Sequence, residues 1–333
     1  MSTTTLVLLP PPDQETAARP QRDPDTVGWA ARLEREVPGL VVLEPQTDEE
    51  AAHALERADA AYGSLPEELL ARAGRLRWLQ APQAGPPPGF YHPALIEHPV
   101  QVTNMRDTYT DHVAAHTLAL ALALARGLPR YVREQARAHW APDWDPAAVL
   151  PLNEATALVI GVGAIGAEAG RLLAAFGTTV VGVDARRAGP VPGFAEVSPA
   201  RDLDRLLPTA DLIIVAVPHT PATEGLLDAR RLALAKQGAY VVSIGRGPTV
   251  RLDDLLAALS SGRLAGAALD VFETEPLPAD HPLWRRPDVL ITPHVAGVGP
   301  HAAQRRFAVL LENARRFVAG QELINVVNKA EWY

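Results

Sequence analysis

Short apolar runs bounded by proline, glycine or charge recur along this chain. They fall at residues 5–9, 41–43 and 76–80, and again at 158–160, 180–183, 212–217, 240–244, 266–269 and 289–291. Runs of this length and flanking chemistry predict buried strands. Between the first of them, residues 26–36 and 48–58 carry apolar and small side chains at helical spacing. Thr47 or Asp48 is placed to cap the second helix, with Glu49 and Glu50 in its first turn. This βαβ rhythm predicts parallel sheets with helices on their faces. Residues 108–128 read as one long helix, small and aliphatic on most sides, as expected of a segment buried between two bodies. Residues 137–152, punctuated by Pro142, Pro146 and Pro151, read as an irregular connection. From Thr156 six further strands suit a single doubly wound sheet. Residues 300–318 then read as an amphipathic helix and 326–327 as a short last piece.

A length of 333 residues fits two domains. The formal net charge of −8 argues against a nucleic-acid binder, and the basic side chains, nearly all arginine, form no tract. With no cysteine, disulfides, thiolate metal sites and a cysteine nucleophile are excluded. The most apolar stretch, residues 113–128, is interrupted by His116 and Arg126 and falls short of a bilayer span. The N-terminal residues lack the basic flank of a signal peptide and run into Pro10, Pro11 and Pro12. The expectation is a cytoplasmic protein with no membrane and no nucleic-acid partner.

Gly161-Val162-Gly163-Ala164-Ile165-Gly166 follows an apolar strand and opens a helical pattern. The first glycine permits a tight turn, the second lets a pyrophosphate approach the backbone, and the third allows close helix–strand packing. The amides at the helix start, including those of Ala164 and Ile165, and the helix dipole favour phosphate there. The next strand ends in Asp184, 18 residues after Gly166, where a carboxylate accepts hydrogen bonds from an adenosine ribose. That carboxylate repels a 2′-phosphate and favours NAD(H). Arg186 and Arg187 keep NADP(H) open, since either can bind the extra phosphate.

Three segments at successive strand ends carry the candidate chemistry: Ser243 to Gly247 with Arg246, Asp270 to Pro278 with Asp270, Glu273 and Glu275, and Thr292 to Gly297 with His294. An arginine grips a carboxylate with two parallel hydrogen bonds. A histidine gives a carbonyl oxygen its proton as hydride arrives. A neighbouring carboxylate favours the imidazolium. Composition alone does not choose among the three acids.

Together these pieces resemble the D-isomer-specific 2-hydroxyacid dehydrogenases. The resemblance covers most of the chain and is densest from Asn104 to Asn328. It includes Val217-Pro218-His219-Thr220-Pro221-Ala222-Thr223, Gly245-Arg246-Gly247, Thr292-Pro293-His294 and the closing Asn325-Val326-Val327-Asn328. It implies a Rossmann-type NAD-binding domain (106–294) inserted into a flavodoxin-like substrate domain made of residues 1–105 and 295–333. It also implies that Arg246 binds substrate, that His294 is the acid/base and that Glu275, just before Pro276, is its partner. By the same resemblance Asp270 orients the nicotinamide carboxamide, Pro218 and His219 cover the adenosine half, and Ile244 and Gly245 line the cofactor site. The implied activity interconverts a 2-keto acid and a D-2-hydroxy acid in a homodimer, for which the apolar helix at 108–128 suits a buried interface. A corepressor-like NAD-sensing protein of the same fold is the alternative.

Two departures bear on substrate. The substrate loop reads Gln80-Ala81-Pro82-Gln83-Ala84-Gly85 and then Pro86-Pro87-Pro88. The amides of Ala84 and Gly85 can bind a substrate carboxylate, but the prolines offer none beyond them. In addition, Ala115 rather than a glutamate precedes His116 of the long helix.

Overall fold

Five short strands, β1 (Thr4–Leu8), β2 (Leu40–Leu43), β3 (Ala60–Tyr62), β4 (Trp78–Gln80) and β5 (Gln101–Thr103), pair in parallel in the order β2-β1-β3-β4-β5. That is the flavodoxin-like order. The structure is a computed structural model and describes residues 3–10, 26–87 and 89–333. Expectations touching Met1, Ser2, Pro11, Pro12 and Pro88 therefore lie outside the described residues. Leu6 and Val7 point to opposite faces of β1, yet each is 0% exposed, so both faces are covered as a parallel sheet requires. The helix Asp48–Leu55 starts as its sequence demands, with the Thr47 side chain accepting from the Glu50 amide.

This sheet belongs to a unit built from the described residues of Met1–Thr108 together with Gly299–Tyr333. The helix Ala302–Val318 sets Phe307 edge-on against Trp29, ring centroids 5.5 Å apart. It also buries Asn313 completely. The Asn313 amide donates to Gln80 Oε1 (3.0 Å), which also accepts from the Thr103 hydroxyl (2.8 Å). Thr103 in turn accepts from the Trp78 indole (2.8 Å). The side-chain polar atoms of Asn313, Gln80, Thr103 and Trp78 thus satisfy one another and nearby backbone, which is the condition for burying them. Val326 forms a single antiparallel bridge to Thr103.

The second unit is continuous in sequence, Tyr109–Val298. Its strands are β6 (Thr156–Ile160), β7 (Thr179–Asp184), β8 (Glu196–Pro199), β9 (Leu212–Val215), β10 (Ala239–Ser243), β11 (Leu264–Leu269) and β12 (Val289–Ile291). They form one parallel sheet in the order β12-β11-β10-β9-β6-β7-β8. This is the doubly wound Rossmann order with one added strand, and its direction of winding reverses between β6 and β9. All four residues of β9, Leu-Ile-Ile-Val, are essentially inaccessible, as the central strand of a sheet covered on both faces must be.

Three differences from the sequence reading have physical causes. The long helix is Thr110–Ala125, and a second, Leu128–Ala136, follows after a break at Gly127, whose φ of 64° lies in the left-handed region. Val113, Leu120, Ala121 and Leu124 of the first helix pack on Val159, Leu212 and Val242 of the sheet of its own unit. That face of the helix is core of its own unit, while Ala115 and Ala119 are exposed and Leu122 is half-buried. The strands β3, β5 and β8 were not anticipated. Ala60–Tyr62 is too short and its first residues too small to register as an apolar run, and Glu196–Pro199 is an edge strand ending in proline. Among the described residues no helix is long and apolar enough to cross a membrane.

Candidate active site

The carboxyl ends of β6, β7, β9, β10, β11 and β12 carry the predicted site residues, and an open parallel sheet binds ligands at this edge. The glycine loop leaves β6 and enters the helix Ala164–Ala175. Gly161 takes φ +93°, and a Cβ there would meet Ala216 O at 2.8 Å. A Cβ on Gly166 would lie 1.9 Å from Gly161 O, so only glycine lets the helix seat this closely. A Cβ on Gly163 would meet nothing within 4 Å. The three positions thus divide into a turn, a packing contact and an open approach, the division that a bound pyrophosphate requires. Ala164 and Ile165 form the first turn of the helix, and no side chain caps it.

Asp184 ends β7 and is tied down by backbone. Its Oδ2 accepts from the Val162 amide (2.8 Å), and its Oδ1 accepts from the amides of Arg186 (2.8 Å) and Arg187 (2.9 Å). The Arg187 guanidinium donates back to Val162 O at 3.2 Å. After β9, Thr223 donates to Pro218 O at 2.6 Å, and the His219 ring meets Glu224 at 2.6 Å. Glu224 also pairs with Arg251, and Arg251 with Glu273. Nothing in the sequence announced the part of this network that runs through Arg251, because Arg251 lies 27 residues from Glu224 and 22 from Glu273.

The three acids that composition left undivided have separate places. Glu273 accepts from the Leu252 amide at 2.8 Å and pairs with Arg251. Asp270, 1% exposed, accepts from the Thr292 hydroxyl (2.6 Å) and from the amides of Val295 (2.9 Å) and Ala296 (3.0 Å). Glu275 meets His294, with Oε2 2.6 Å from Nδ1, while Oε1 accepts from the Phe272 amide at 3.0 Å. Burial pushes the Glu275 carboxyl up. The hydrogen bonds from His294 and Phe272, with the charges of His294 and Arg246, outweigh it and hold the group below the ordinary carboxylate range. Arg246 is half-buried at the end of β10 and donates to Gly245 O at 2.7 Å, with Ile244 buried beside it. The structure thus brings His294, Glu275 and the charge of Arg246 together. It puts Ala84 and Gly85 in the first unit, on the loop after β4, where Ala84 O accepts from the Asn104 side chain at 2.9 Å.

A model of the D-isomer specific 2-hydroxyacid dehydrogenase NAD-binding domain matches residues 118–296. Glyoxylate/hydroxypyruvate reductase A of Serratia proteamaculans is 32% identical over 308 residues, covering 90% of this chain and 94% of that protein. Among solved structures, a D-isomer specific 2-hydroxyacid dehydrogenase from Xanthobacter autotrophicus, in complex with NADPH and MES, superposes with a TM-score of 0.81 at 29% identity, covering both chains fully. An NADPH-dependent glyoxylate/hydroxypyruvate reductase from Sinorhizobium meliloti, in complex with NADP and sulfate, gives 0.78 at 26% identity, again covering both fully. This chain belongs to the D-isomer-specific 2-hydroxyacid dehydrogenase family.

Proposed function

We propose that this chain reduces a small 2-keto acid, of the glyoxylate or hydroxypyruvate type, to the D-2-hydroxy acid, and runs the reverse oxidation. The observation that carries the proposal is the 2.6 Å contact between His294 and Glu275, with the charge of Arg246 acting on the same carboxylate. Glu275 engages Nδ1 of the imidazole, which leaves Nε2 as the nitrogen that hands a proton to the keto oxygen. Glu275 then stabilises the imidazolium between turnovers and fixes the ring by its second bond to the Phe272 amide. Arg246 supplies a planar guanidinium for the substrate carboxylate. A bound nicotinamide supplies the hydride. The glycine loop, with its open approach at Gly163 and the carboxylate at Asp184, suits the dinucleotide that carries it.

Asp184 supports a preference for NADH, since its charge opposes a 2′-phosphate, although two structural relatives were solved with NADPH or NADP. A cytoplasmic location follows from the same reading, as free nicotinamide cofactor and small keto acids meet there. The test is loss of NADH absorbance with glyoxylate, hydroxypyruvate, pyruvate and bulkier keto acids, repeated with NADPH. Turnover with one of the two small acids is expected, with kcat/KM at least about tenfold higher for NADH. In His294→Ala, kcat should fall by at least ~10², the usual worth of acid–base catalysis. Tight NADH binding without turnover of any acid would favour a cofactor-sensing protein instead.

We also propose a homodimer. Trp140 and Trp144 are 92% and 86% exposed, close to Leu128, Tyr131 and Val132 in sequence, and all of these are exposed. An apolar groove in the same unit is lined by Pro129, Val132, Leu283 and Trp284. Two tryptophans from each copy, at about 150–250 Å² apiece, supply much of the roughly 1,200 Å² that a stable interface buries. A monomeric mass for the wild type by light scattering would overturn this.

A further inference from the structure

The sequence marks His116 as an interruption of an apolar stretch and by the alanine before it, and Thr292 as part of the segment carrying His294. The structure joins them. His116, on the helix Thr110–Ala125, places Nε2 3.0 Å from Thr292 Oγ1 and 3.6 Å from Asp270 Oδ1. The Thr292 hydroxyl gives its only proton to Asp270 Oδ1 at 2.6 Å. Toward His116 its oxygen can therefore only accept, and the imidazole presents Nε2–H. Beyond Thr292, the Asp270 carboxylate also takes the amides of Val295 and Ala296, and the Asp270 carbonyl takes the amide of His294 at 2.9 Å. The backbone so enclosed is unusual. His294 sits at φ 53°, in the left-handed region that a residue with a side chain rarely adopts. A residue stays in that region only where its surroundings over-determine it.

We propose that His116 and Thr292 are positioning residues for His294. Their two hydrogen bonds tie the 292–296 turn, through the buried Asp270 carboxylate, to the helix Thr110–Ala125. That connection holds the His294 backbone in its strained conformation, with the ring on Glu275. Without the His116 donor the Thr292 hydroxyl is free to leave Asp270 Oδ1. The turn then relaxes toward ordinary φ values and carries Nδ1 away from Glu275. The proposal rests on the reading of His294 as the acid/base. It assigns the work of this chain to orientation, so it predicts an effect on turnover that disappears once the imidazole is gone.

The experiment is a double-mutant cycle on the full-length enzyme. Thr292→Val, Thr292→Ser, His116→Leu and His116→Gln are made in the wild type and in His294→Ala. For each, kcat, KM, the NADH Kd and Tm are measured. In the wild-type background Thr292→Val and His116→Leu should each lower kcat about tenfold, with the NADH Kd and KM within about twofold. The donor-preserving Thr292→Ser and His116→Gln should recover turnover to within about threefold of wild type. In the His294→Ala background the same substitutions should change the residual rate less than twofold. An equal tenfold loss in both backgrounds would show a role unrelated to His294, and no loss in the wild type would show none at all. Either result overturns the proposal. Normal turnover by His294→Ala alone is a separate outcome, which removes the acid/base reading and this proposal with it. Should Thr292→Val fail to fold, the His116 pair completes the cycle independently.

Discussion

Gly247 offers a steep test of the proposed site, because adding a single methyl group there forces one of its parts to move. A Cβ at this position would lie 1.7 Å from Phe272 O, 2.0 Å from Phe272 C and 2.6 Å from Glu273 N, whereas real Cβ atoms almost never approach within 3.0 Å. All three obstacles are backbone, so no rotamer change relieves the clash, and about 1.3 Å of separation must be found. If the 272–273 peptide retreats, it draws off the Phe272 amide that holds Glu275 Oε1. If the 245–247 turn retreats, Arg246 moves instead. Either way a group assigned to the chemistry is displaced by about an ångström, a misplacement that costs on the order of 10²-fold in rate. Overpacking of this kind also destabilises by roughly 1–3 kcal/mol, or about 2–4 °C in Tm per kcal/mol for a unit of this size. Gly247→Ala should therefore lose about 10² in kcat/KM and several degrees in Tm. Gly74→Ala, whose Cβ meets nothing within 4 Å, should change neither. A Gly247→Ala enzyme within twofold of wild type and with unchanged Tm would refute the steric reasoning and the placement of Glu275 with it.

Other outcomes follow from single contacts. Gly163→Ala introduces no clash with protein, so Tm should hold while the NADH Kd weakens at least about tenfold; an unchanged Kd would separate this glycine from the pyrophosphate. Arg246→Lys keeps the charge and loses the planar fork, so KM for the keto acid should rise as kcat falls, and an unaltered kcat/KM would remove Arg246 from substrate binding. Glu275 is held below the ordinary value of 4.5, so its stabilising contribution is fully present above that value and is lost as pH falls through its own lower one. The Tm difference between wild type and Glu275→Gln should accordingly stay level from neutral pH to near 5 and shrink in stronger acid. In the same variant reductive kcat should fall, as the imidazole loses the carboxylate that holds Nδ1. An unchanged kcat would separate Glu275 from the acid/base.

The sequence exposed most clearly what repeats or what tolerates one residue type only. The strands of the second sheet were legible because each central strand is apolar on both faces, and the glycine loop because Gly161 and Gly166 admit no side chain. Three strands were not legible. The pattern of Ala60–Tyr62 is too small and too short, and Gln101–Thr103 and Glu196–Pro199 each begin with a polar residue. The helix Leu128–Ala136 was hidden because Gly127 and Pro129 read as the end of the preceding helix, although proline is equally at home in a first helical turn. In the candidate site, Arg246, Glu275 and His294 stood out by motif. Their supports did not, since Thr292 and His116 are 176 residues apart and Phe272 and Gly247 meet through backbone atoms that no side-chain pattern encodes.

The discontinuity of the first unit has a consequence for how this chain is born. Residues 109–298 leave the ribosome as an uninterrupted stretch and can complete their seven-stranded sheet as soon as they are clear of the tunnel. The earlier-made five-stranded sheet has no such freedom. Trp29 waits for Phe307, and Gln80 for the amide of Asn313, so translation of more than 200 intervening residues separates each of these partners. At about 5–20 residues per second that is an interval of roughly 10–50 s, during which the nascent amino-terminal segment is exposed to chaperones and proteases while its successor is already folded.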